Sequence, residues 1–328
     1  MSALERASGP PIFVVGCPRS GTTMLRLMLD SHPDLAIPPE SHFVTQFWSA
    51  HHRYEKNDRF EADRLARDVM GTFRFKEWRL PPEAVTERLR RLERPSFGSV
   101  MEAFFLAYAD REGKTRWGDK TPGYSIEMAA LAQIFRDARF VHLIRDGRDV
   151  AMSLDDLGRV KLRPAMAMWA QRVMQGRSDG RRLGPDRYLE VFYEALVDDP
   201  ERELKAICDH ADLEFRPGDM LRYHERAERA MASKAWGSHQ GLARPPTKGM
   251  RDWRRSLDDR TQAVLEGIGG DALTEFGYER RFSDPPAVAR READRVVRGY
   301  RRAMRAWRLR RRAIMILKPR AVPPHRRF

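Results

Sequence analysis

The chain has 328 residues, 41% of them hydrophobic and 9% aromatic, enough for a sizeable core and too many for a disordered chain. Its two cysteines, Cys17 and Cys208, exclude a disulfide-stapled scaffold and a cysteine-rich zinc module. A net charge of +14 suggests a nucleic-acid binder until it is located: residues 287–328 hold fifteen Lys and Arg against Glu292 and Asp294, and the rest of the chain is close to neutral.

In chain order, the opening MSALERASGPP has no apolar stretch of the kind a signal peptide needs. Apolar runs at 12–15, 104–109 and 314–317 fall far short of the ~20 residues of a membrane span. The expectation is a cytoplasmic protein, with the inner face of the membrane as the one peripheral site considered. Residues 11–16 (PIFVVG) predict a buried parallel strand closed by glycine. GCPRSGTT follows, then a helix with Met24, Leu25, Met28 and Leu29 on its apolar positions, ending at His32-Pro33. Residues 42–115 read as a helical insertion covering the functional edge of a sheet. Arg139–Ile144 and Tyr188–Phe192 predict two more strands, and 201–210 and 258–268 predict helices. Pro285-Pro286 separates a body, 1–286, from a basic tail, 287–328. Strands alternating with helices predict an α/β fold, a P-loop-like three-layer arrangement with a central parallel sheet flanked by helices.

Gly16 to Thr23 has the frame of a phosphate-binding loop, whose backbone N–H groups converge on an anion at a helix N-terminus. The loop's usual lysine is replaced by Thr22, so an NTPase would lack its β/γ-phosphate clamp. Arg19 supplies a cation three residues earlier, beside Ser20, Gly21, Thr22 and Thr23. A second anion site reads in RDGRDVAMS: Arg145 ends a strand, and Ser153 follows two helical turns down. A guanidinium and a hydroxyl there could hold a phosphate. Two phosphate sites without the kinase lysine point to a nucleoside phosphorylated at both ends.

On these motifs the chain resembles the sulfotransferases that use 3′-phosphoadenosine 5′-phosphosulfate (PAPS). PRSGTT looks like their 5′-phosphosulfate loop, and Arg145 to Ser153 like their 3′-phosphate motif. Tyr193 in FYEALVDDP matches their tyrosine near the nucleotide. Lys248-Gly249, with Trp253 behind, resembles the late segment that closes over the cofactor, although Thr247 stands where cytosolic members have arginine. The run HPDLAIPPES, with Glu40, and GDKTP, with Lys120, are similar to the bacterial and tyrosylprotein-type branch. The resemblance implies Glu40 as catalytic base, Lys120 as catalytic lysine and Arg19 as a further charge-stabilising group. It implies transfer of a sulfuryl group to a hydroxyl, less readily to an amine, without a metal.

Two other classes stay open at this level: a P-loop kinase of a small molecule, and a non-catalytic module that binds through its basic tail. No residue of 42–115 names a sugar, lipid, phenol or peptide acceptor. In the tail, Ala293, Val297, Tyr300, Met304 and Trp307 form one apolar helix face, with Arg298, Arg301, Arg302, Arg305 and Arg308 around it. Such a helix could lie on anionic lipid, pack on its own body, or join a homodimer. Nucleic acid ranks behind these because the body adds no basic surface.

Overall fold

The computed structural model describes residues 9–56, 59–225, 242 and 252–317. Its strands are β1 (Ile12–Gly16), β2 (Leu35–Ala36), β3 (Glu55–Lys56), β4 (Arg59–Phe60), β5 (Arg116–Lys120), β6 (Arg139–Ile144) and β7 (Tyr188–Phe192). Five form one sheet in the order β2-β5-β1-β6-β7, with every neighbouring pair parallel. β3 and β4 make a separate short antiparallel pair. All five carboxyl ends of the main sheet therefore share one edge, where open α/β sheets bind ligands.

β1 shows why the sheet is buried on both sides. Alternate residues of a strand face opposite ways. Ile12 and Val14 join one core cluster with α1 (Thr22–Asp30) and the helix Pro200–His210. Phe13 and Val15 join another with the insertion. The insertion is helical, as its pattern predicts: α2 (Phe43–Trp48), α3 (Ala62–Met70), α4 (Phe73–Glu77), α5 (Pro82–Arg90) and α6 (Phe97–Arg111). It meets the sheet through aromatic rings. Phe105 of α6 stacks on Trp117 of β5 at 4.4 Å, a contact worth roughly 0.5–1.5 kcal/mol beyond the area it buries. The helix α7 (Met128–Ile134) then leads to β6.

A third cluster joins α8 (Gly147–Asp156), α9 (Leu162–Leu183) and the late helix Asp259–Glu275. The terminal helix Ala287–Leu317 belongs to it, because Ala289 and Ala293 are buried there. Gly267 of the late helix admits that approach: a Cβ on it would lie 3.0 Å from the Cβ of Ala293. Tyr300 donates from its hydroxyl to Gln171 at 2.8 Å, and Arg163 pairs with Glu292 at 2.8 Å. The apolar stripe of the tail thus faces the body, while Arg298, Arg301, Arg302, Arg305 and Arg308 are exposed. Pro285-Pro286 separates two helices and not two cores. Among the described residues no helix is long and apolar enough to cross a membrane.

Candidate active site

Each strand of the main sheet delivers a residue to the common edge: the glycine loop after β1, Glu40 after β2, Lys120 at the end of β5, Arg145 after β6 and Tyr193 after β7. In the loop, Arg19 and Gly21 have φ of 77° and 93°, the left-handed region that makes a tight turn. The Ser20 N–H closes it on the Cys17 carbonyl at 3.1 Å. Gly16 is required, since a Cβ there would lie 2.5 Å from the Leu143 carbonyl oxygen. α1 begins at Thr22 with no side-chain cap, which leaves its first N–H groups to an outside acceptor. The Ser20 hydroxyl is buried without a partner among the described residues. Cys17 is fully buried, and burial pushes its thiol up to about 12, so it is an inert packing residue.

The two anion sites read from the sequence form one floor. Arg19 donates from Nε to the buried Ser153 hydroxyl at 3.1 Å. Arg145 lies 4.3 Å above the Tyr193 ring and pairs with Asp149 at 3.4 Å. The Tyr193 ring in turn packs against Gly21, where a Cβ would overlap it. Asp149 also accepts the Trp253 N–H at 3.1 Å. Lys248 and Gly249 lie outside the described residues.

Across the loop stand the carboxylate and the lysine. Glu40 Oε1 accepts from Lys120 Nζ at 2.6 Å, and Glu40 Oε2 meets His42 Nε2 at 2.9 Å. Lys120 Nζ also reaches Thr23 Oγ1 at 3.4 Å, so it spans the Glu40 segment and α1. Burial alone would raise the Glu40 pKa. Lys120 and His42 outweigh it and hold the carboxyl well below the usual carboxylate range. Burial lowers the Lys120 pKa, an effect the Glu40 charge opposes.

A model of the sulfotransferase family matches residues 10–217, more than half of the chain. The chain belongs to the sulfotransferase family. Protein-tyrosine sulfotransferase A of Caenorhabditis elegans is 27% identical over 85% of this chain and 70% of its own length. The nodulation protein NoeE of Sinorhizobium fredii is 25% identical over 90% of this chain and 72% of its own. Among solved structures, the sulfotransferase domain of the Synechococcus PCC 7002 olefin synthase superposes with a TM-score of 0.56. It is 25% identical, over 84% of this chain and 98% of that one. The fold expected from the sequence is therefore the family's fold, and the chain is an enzyme of the sulfotransferase class.

Sequence reading passed over the residues that aim Glu40. Ser41 is buried and hydrogen-bonds from Oγ to Asp119 at 2.5 Å and with Tyr124 Oη at 3.0 Å. Its N–H donates to Thr121 Oγ1 at 3.1 Å, and Thr121 donates to Asp119 at 3.0 Å. This buried knot ties the Glu40 segment to the end of β5, one residue from Lys120. His42, at φ 52°, turns back onto Glu40. The signal was present in adjacency alone: Ser41 and His42 follow Glu40, and Asp119 and Thr121 flank Lys120. Burial also raises the Asp119 carboxyl, to about 6, against its two hydroxyl donors. Among the described residues no group of three or more His, Cys, Asp or Glu could hold a metal ion.

Proposed function

We propose that this sulfotransferase moves a sulfuryl group from PAPS to an acceptor hydroxyl, with Glu40 as general base. The observation that carries the reading is the Glu40–Lys120 pair at 2.6 Å, set beside the uncapped start of α1 and in reach of Thr23. The residues present fit the donor. The loop N–H groups, the unpartnered Ser20 hydroxyl and Arg19 suit the 5′-phosphosulfate. Arg145 and Ser153 suit the 3′-phosphate, Tyr193 lies beside them, and Lys248 and Gly249 join the set by resemblance.

When bound, PAPS supplies sulfur carrying a phosphate as its leaving group. Glu40 takes the proton of the acceptor hydroxyl as that oxygen bonds to sulfur and the sulfur–oxygen bond to the 5′-phosphate breaks. General base help of this kind contributes ~10²–10⁴-fold. Lys120 holds the negative charge growing on the transferred group and the bridging oxygen, and Arg19 with the loop N–H groups holds it at the phosphate. A carboxylate held as low as Glu40 is a weak proton acceptor. Turning Lys120 from Glu40 toward the transferred group relieves that hold and raises the base's pKa where it is needed.

The test is turnover of PAPS by the purified chain against a panel of acceptors, read as a sulfuryl mass gain, beside titration with ATP–Mg²⁺. Binding of ATP–Mg²⁺ but not of adenosine 3′,5′-bisphosphate would overturn the reading in favour of a kinase. Arg145→Ala should weaken adenosine 3′,5′-bisphosphate by ~1.5–3 kcal/mol, the scale of a charge-assisted hydrogen bond. AMP, which has no 3′-phosphate, should change little. Equal losses for both nucleotides in calorimetry would remove Arg145 from the 3′ site.

A further inference from the structure

We propose that the terminal helix is a wall of the acceptor pocket, and that this wall selects a small, largely apolar alcohol or phenol. The inference rests on the reading of Glu40 as the base. A cavity of about 740 Å³ opens beside Glu40 and His42 and is also lined by Pro18 of the glycine loop. That volume falls in the ~300–1,000 Å³ range of small-molecule sites. Tyr300, Met304 and Trp307 line it from the terminal helix. They follow one another at four- and three-residue spacing, so one helix face meets the cavity. The wall is fixed in place: Met304 is buried, and the Tyr300 hydroxyl is bonded to Gln171.

The lining names the chemistry. Phe73, at the start of α4, also borders the cavity and is 67% exposed. With Tyr300, Met304 and Trp307 it gives the cavity several apolar lining side chains. Several polar lining groups are already engaged: Glu40 with Lys120, Arg74 with Glu77, Gln171 with Tyr300, and Arg172 with the Gly123 carbonyl. A sugar carries a hydroxyl on nearly every carbon; Gln46, Glu127 and Arg159 also line the cavity, but hydroxyls set against Phe73, Met304 and Trp307 would lose water without gaining a partner. A flat ring frame with one hydroxyl loses little and covers Phe73 and Trp307. The apolar stripe of the tail thereby gains a second use: its first half packs on the late helix, and its second half faces the substrate.

The experiment uses the full chain with 2-naphthol, followed by the naphthol's own fluorescence, with and without adenosine 3′,5′-bisphosphate. Wild type should bind it, Trp307→Ala should weaken it about tenfold, and Phe73→Ala should weaken it severalfold. Nucleotide affinity, measured by calorimetry, should not move in either variant. Because Phe73 is exposed, its variant keeps the fold, and Trp307→Leu replaces Trp307→Ala if that variant fails to bind nucleotide. Unchanged naphthol affinity in the Trp307 variant, with nucleotide binding intact, overturns the wall. Absence of naphthol binding by wild type at millimolar concentration overturns the acceptor class, as does sulfation of N-acetylglucosamine or a tyrosine peptide in its place. A wild-type chain that binds no adenosine 3′,5′-bisphosphate overturns the sulfuryl-transfer reading itself, an outcome the naphthol titration alone cannot produce.

Discussion

Glu40→Gln should lower kcat by ~10²-fold or more while leaving nucleotide affinity close to wild type. The amide keeps the size of the side chain and can still meet Lys120, but it cannot take a proton. The pH profile adds a signed test. The base works only when ionised, so its pKa sets the acid limb of kcat/KM. Lys120 and His42 hold that pKa well below the usual carboxylate range in the free protein, so the limb should lie at low pH. Lys120→Met removes the nearer cation. The Glu40 pKa then rises, and the acid limb moves to higher pH, on top of a fall in kcat from the lost charge stabilisation. Full activity in Glu40→Gln would falsify the base assignment, and an acid limb unmoved in Lys120→Met would show that the 2.6 Å pair does not set the base.

The same pair shows what a sequence can and cannot disclose. β1, β6 and β7 were legible because each is a short apolar run bounded by turn residues or charges, and all three occur where the pattern places them. β5 was not. Its sequence, RWGDK, carries three charged residues in five, which reads as a surface turn. The structure buries Arg116, Asp119 and Lys120 to 3%, 0% and 3% exposure. Each finds a partner distant in sequence. Arg116 donates to the carbonyls of Pro10, Ala211 and Asp212 at 2.6–2.8 Å, Asp119 takes the Ser41 and Thr121 hydroxyls, and Lys120 takes Glu40. Local composition cannot reveal partners that only the fold supplies. Lys120 was found by the resemblance of GDKTP, not by its strand. The terminal helix is the complementary case. Its periodicity gave the apolar face residue by residue, yet a stripe specifies only that some apolar surface must cover it. That the surface is the late helix, and beyond it a cavity beside Glu40, follows from the path of the chain.

Arg148→Met should destabilise the protein by about 3–5 kcal/mol, the cost of breaking a buried ion pair from one side. Arg148 lies inside the second anion motif, three residues after Arg145. The structure gives it another task. It is fully buried, donating to Glu266 at 2.7 Å, to Asp146 at 3.0 and 2.7 Å, and to the Glu279 carbonyl at 2.8 Å. Its guanidinium lies 3.5 Å over the Trp253 ring. One side chain thus clamps the start of α8, the late helix and the segment that carries Trp253. Methionine fills much of the volume but leaves Glu266, itself fully buried, with only the Gln262 amide at 2.9 Å and the Phe282 N–H at 2.7 Å among the described residues. Two neutral donors do not replace a cation for a carboxylate out of water. The double variant Arg148→Met/Glu266→Leu removes the Arg148–Glu266 pair from both sides and should recover part of the loss, since the buried Asp146 still lacks its cation. Denaturant unfolding of the three proteins measures both effects. Stability in Arg148→Met equal to wild type would show that the charge is not needed there. Because Asp146 caps α8 through the Arg148 N–H at 2.9 Å, and Arg145 and Ser153 hang from the same turn and helix, nucleotide affinity should fall together with stability in the single variant. In the double variant it should recover only as far as the start of α8 does.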